Sequence, residues 1–95
     1  MTDYEQISII VEQIQGLLSR ADNMSKNGVY KDFIRIIEKV REINDNNGLG
    51  QHGTLLSLIN SEISNWSELM DKCIILLPIV EGFERRLRPG GDGGT

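Results

Sequence analysis

Ninety-five residues, 39% hydrophobic and 25% charged, describe one folded domain with room for a single modest core. A net charge of −4 argues against nonspecific binding to nucleic acid or an anionic membrane, since both call for a basic face. The single cysteine, Cys73, excludes an internal disulfide framework and fits a reducing compartment.

The first predicted helix covers Met1 to Met24. Thr2 followed by Glu5 has capping-box spacing, in which hydroxyl and carboxylate satisfy free backbone donors reciprocally. Apolar residues then recur at Ile7, Ile10, Val11, Ile14, Leu17, Leu18, Ala21 and Met24, one face of a helix. Ser25 to Gly28 reads as a polar turn, with Asn27-Gly28 suited to a left-handed cap. A second helix is expected from Val29 to Asn44, with Tyr30, Phe33, Ile34, Ile37, Val40 and Ile43 inward. Its outer face carries both signs of charge, and Arg35 with Glu38 and Arg41 with Asp45 would each contribute a few tenths of a kcal/mol.

Asp45 to Gly53 holds Asn46, Asn47, Gly48, Gly50 and Gly53, and reads as a chain-reversing loop. Thr54 to Arg88 then carries apolar residues in steps of three and four: Leu56, Ile59, Ile63, Trp66, Met70, Cys73, Leu77, Val80. A second stripe at Leu55, Leu58, Leu69, Leu76 and Phe83 widens that face. The continuous phase predicts one long helix, kinked at Pro78, where the ring crowds the carbonyl of Ile74. Asn65 with Glu68 also has capping-box spacing, which would start a new helix there; the continuous phase favours one helix over two. Pro89 ends the helix, and residues 89–95 read as a flexible glycine-rich tail beyond a single domain of residues 1–88.

The expected architecture is all-α, a three-helix up-down-up bundle with a long C-terminal helix. At ~1.5 Å per residue the helices would measure about 33, 22 and 50 Å, so the last overshoots the bundle by about 10 to 13 residues. Residues 73–80 are apolar all the way round, and a monomer would leave that surface in water unless Pro78 bends it back over the bundle. Met70, Cys73, Leu77, Val80, Phe83 and Leu87 are therefore the candidate interface, widened by Ile74 and Ile79.

Little in the chain points to catalysis. His52 is the only histidine and has no assignable nucleophile or orienting group. Cys73 lies on the apolar stripe, as a small hydrophobe would. One His and one Cys do not make a zinc site, so no cofactor or metal is expected. Glu81 and Glu84 are placed to pair with Arg85 and Arg88 at i,i+4. Arg85, Arg86 and Arg88 suit the negative end of the helix dipole better than a phosphate site, so nucleic acid is disfavoured as a partner. The longest apolar run is far short of the ~20 residues that span a bilayer, and no basic-then-apolar leader precedes it. The expectation is a cytoplasmic, non-enzymatic interaction module that self-associates or docks onto a helical partner through its last helix. The alternative is a small monomeric inhibitor or regulator that binds a target through an acidic, Ile-rich surface.

Overall fold

The computed structural model describes residues 1–20 and 26–90, without the side chains of Arg20, Lys26 and Asn27. Among the described residues the chain is helical without strands: α1 spans Asp3–Arg20, α2 Lys26–Asn47, α3 His52–Asn60 and α4 Trp66–Leu87. The all-α expectation holds; the count of three does not. Ala21, Met24 and Ser25, which the sequence places on the first stripe and in the first turn, lie outside the described residues, as do 91–95 of the tail.

The start of α1 follows the sequence reading closely. The Glu5 backbone N–H donates to Thr2 Oγ1 at 3.1 Å, and the Thr2 N–H donates back to Glu5 Oε1 at 3.1 Å. Both donors would otherwise lack an intrahelical partner. The Thr2 N–H, and after it the Thr2 hydroxyl, which donates to Glu5 Oε1 at 3.0 Å, hold the Glu5 carboxyl below its ordinary range.

α2 departs from expectation at both ends. It begins at Lys26, so Asn27 and Gly28 fall in its first turn and form no cap, and it runs on through Asn47. The left-handed cap occurs instead at the far end, where Gly48 has φ of 60° and the Leu49 N–H donates to Asn44 O at 3.1 Å. That six-to-one bond closes a Schellman motif, with a glycine at the position where a Cβ would be strained. Leu49, the residue after it, is buried. The expected nine-residue loop thus shrinks to a tight corner, because this cap lets α2 run on through asparagines that are poor helix formers by themselves. Along the outer face, the ion pairs within 4 Å among the described residues are Arg35 with Asp32 at 3.9 Å and Lys39 with Glu42 at 3.6 Å; of the expected pairs, Arg41 acts on Asp45 only at longer range.

The largest difference is the long C-terminal helix, which is two helices. Ser61 ends α3 in extended conformation (ψ 137°), its hydroxyl donating to Ser57 O at 2.7 Å. Asn65 then starts α4: its side chain accepts from the Glu68 N–H at 3.0 Å, and Glu68 Oε2 accepts from the Ser64 N–H at 2.9 Å. Ser and Asn side chains here offer the backbone local hydrogen bonds that compete with a continuing helix. Phase continuity could not reveal this, since a short extended link can restore the same phase on its far side. The molecule is also 43 Å in its longest extent, less than the roughly 50 Å of an unbroken helix of that length.

Two long-range bonds fix how the helices run. Asn47 Nδ2 donates to Asp3 Oδ2 at 2.8 Å, and Arg86 Nη1 donates to Leu49 O at 3.0 Å. The start of α1, the end of α2 and the end of α4 therefore meet at the α2–α3 corner, making α1 antiparallel to both long partners. α1 packs chiefly on α4, and α2 on α3. Ile7, Ile14, Leu17, Phe33, Ile37, Val40, Leu55 and Leu76 fill one core between them. At 18 and 22 residues, α1 and α4 measure about 27 and 33 Å, so the predicted overhang is absent.

Candidate functional site

With no overhang, what α4 offers a partner depends on which way each of its side chains points. The helix buries Leu69, Cys73, Leu76, Val80 and Phe83. This face lies between the two stripes seen in the sequence and takes residues from both. Met70, Leu77, Ile79 and Leu87 lie at its margins, partly buried against the core. Of the eight residues expected to form an interface, the structure thus places Cys73, Val80 and Phe83 in the interior and four at the edge of the core. Only Ile74 is exposed, at 57%.

Ile74 has company that the sequence reading passed over. Ile75 is 46% exposed, and Pro78 and Arg85 are exposed on the same side, with Asp71 one turn before the isoleucines. At 100° per residue, positions 71, 74, 75, 78, 82 and 85 form one outward-facing strip. Its middle is apolar and its ends carry opposite charge. Residues 73–80 are apolar round the whole helix because these roughly two turns of α4 supply core on one side and this exposed patch on the other. The signal lay in the sequence as that run without polar relief, but choosing the outward side required the core face to be known.

Gly82 sits within the strip, and a Cβ built there would meet only an Arg85 guanidinium nitrogen, at 3.8 Å. Asp71 and Arg85 form no ion pair within 4 Å among the described residues, and neither do Glu81, Glu84 or Arg88. The i,i+4 pairs expected of Glu81 and Glu84 are thus not formed. Arg86 is separated from the other two arginines by its bond to the Leu49 carbonyl, where it closes the end of the bundle.

The remaining candidates hold structural positions. His52 is the first residue of α3 rather than a loop residue, with Nδ1 3.2 Å from Asp45 Oδ1. The Asp45 carboxyl is held below its ordinary range, first by the Asn44 side chain and then by His52. Asn44 is itself buried: its amide nitrogen donates to Asp45 Oδ1 at 3.0 Å and its oxygen accepts from the Gln51 N–H at 2.9 Å. It therefore spans the corner from inside. Cys73 is fully buried, and desolvation pushes its thiol up to about 11, far from the thiolate that would react. Among the described residues, no three His, Cys, Asp or Glu side chains come together as a metal site, and no helix is long and apolar enough to cross a membrane.

A groove of about 570 Å³ runs between α1 and α2. Ile10, Leu17 and Ile36 form its floor, and Arg35, Lys39 and Glu42 stand on its rim. The two basic residues are already paired with Asp32 and Glu42, and Glu38 also lines the groove, so its rim carries a slight acidic excess. Comparison of the chain with protein-family models, with curated proteins and with solved structures gives no match.

Proposed function

We propose that the protein is a non-enzymatic helical interaction module that docks onto another protein surface through the outward face of α4. The observation that carries this reading is the exposed apolar turn at Ile74, Ile75 and Pro78, in a helix whose opposite side is fully committed to the core. Fully burying an isoleucine is worth about 1.5–3 kcal/mol, so leaving two of them half in water forgoes roughly 2 kcal/mol that a partner surface would recover. Grouped apolar exposure of this kind marks interaction surfaces, whereas a lone residue such as Ile9 does not. The buried thiol and the His52–Asp45 contact, which holds no nucleophile, favour binding over catalysis.

A photoreactive benzoylphenylalanine in place of Pro78 tests the reading in cells that make the protein, with the same group in place of the exposed Glu12 on α1 as the control. Irradiation should yield a discrete protein adduct from position 78 and none from position 12. Equal or absent labelling from the two positions would refute docking through α4.

A further inference from the structure

We infer that the partner of this face is a second copy of the same chain, packed so that the two α4 helices run antiparallel about a two-fold axis through Pro78. This rests on the docking face proposed above and assigns its occupant.

The argument comes from the placement of charge on the strip. Asp71 and Arg85 stand seven residues before and seven residues after Pro78. Seven residues advance a helix by 700°, within 20° of two full turns, so all three share one face. All three are exposed, and neither Asp71 nor Arg85 has an ion-pair partner in its own chain among the described residues.

An antiparallel pair centred on residue 78 sets each residue at the same height as the one equally far on the other side of the centre. Asp71 of each copy then faces Arg85 of the other, giving two symmetric ion pairs at the ends of the contact. Ile74 falls level with Gly82 of the other copy, which carries no side chain of its own and is bordered only by the far end of the Arg85 side chain. Pro78 faces itself on the axis. A parallel pair would instead set Asp71 against Asp71 and Arg85 against Arg85. Charge thus selects the antiparallel arrangement, and the self-complementary patch is what a two-fold interface requires.

The contact is a single helix crossing. It is smaller than the roughly 800 Å² per partner of a stable complex, so the dimer belongs to the weak, concentration-dependent class.

Sedimentation equilibrium of the full chain from micromolar to millimolar concentration tests the inference, with circular dichroism to check that each variant keeps its helices. The wild type should pass reversibly from monomer to dimer. Asp71→Arg alone and Arg85→Asp alone each replace two attractive contacts with two repulsive ones, and each should raise the dissociation constant at least about tenfold. Mixing the two variants restores both pairs, as does combining both changes in one chain, and each should return the constant to near the wild-type value. A wild type that stays monomeric throughout would overturn the inference. So would a dimer indifferent to these changes, or one that mixing does not rescue.

The cross-linking experiment keeps this failure distinct from failure of the docking face. An adduct at position 78 to a different protein, with a monomeric wild type, removes the second copy and leaves the docking face standing. No adduct of any kind removes both.

Discussion

Leu76 and Ile75 are chain neighbours with side chains of equal carbon count, yet Leu76 is fully buried and Ile75 nearly half exposed. Replacing each with alanine removes the same three carbons from opposite kinds of environment. For Leu76 the loss combines transfer free energy with a cavity closed in by α1, and such changes cost about 2–5 kcal/mol. For Ile75 roughly half of a smaller transfer term is lost, no cavity closes, and alanine's better helix propensity returns a few tenths, leaving about 1 kcal/mol or less. A chain of this length is expected to be stable by about 5–14 kcal/mol, so the Leu76 change removes a large fraction. With a urea dependence of about 1–3 kcal/mol per molar, Leu76→Ala should lower the unfolding midpoint by about 1 M or more, and Ile75→Ala by well under 1 M. The assay is urea unfolding followed by circular dichroism, at a protein concentration low enough that association does not contribute. Equal shifts for the two variants, or a larger one for Ile75→Ala, would refute the division of α4 into a core face and an outward face.

Asn65→Ala should cost about 1 kcal/mol, as the loss of an N-cap does, and should raise hydrogen exchange in the first turn of α4; an unchanged stability and exchange pattern would mean that α3 and α4 are not separated there. Because the Asp45 carboxyl is held below its ordinary value of 3.8, its contribution to stability is present above that pH and is lost as pH falls through the folded midpoint. Carboxyl titration by NMR should therefore place Asp45 below 3.8 in the wild type, and Asn44→Ala should move it upward, since the Asn44 amide is the largest cause of the shift.

The sequence disclosed the elements that rest on short-range rules and concealed those that depend on what lies opposite. The Thr2–Glu5 box and the apolar stripes of α1 and α2 could be read because the interactions that make them span three or four residues. The break at residues 61–65 was written in the sequence too, as Asn65 and Glu68 at capping distance after a run of serines. A stripe continuing in phase across it outweighed those local signs, although periodicity records direction and not connection. Which face of α4 became core could not be read, since Leu69, Cys73, Leu76, Val80 and Phe83 are drawn from two overlapping stripes and α1 makes the choice. Cys73, Val80 and Phe83 looked available to a partner only because the expected bundle was too short to cover them. The tight corner after α2 escaped for a related reason: five Asn and Gly residues in nine suggest a loop, but Gly48 works as a helix stop and Asn44 as an internal brace.

That the first helix packs chiefly against the last has a consequence for how the molecule comes into being. The apolar stripe of α1 finds most of its cover only when α4 arrives, so an emerging polypeptide carries that stripe without its mate until α4 has been made. The contacts that close the core join positions far apart along the chain, and the entropy of closing so long a loop is lost before any packing rewards it. The α2–α3 hairpin, by contrast, joins near neighbours through one Schellman corner and can form early. Assembly would then proceed from the middle of the chain outward, with the two flanking helices clasping one another last.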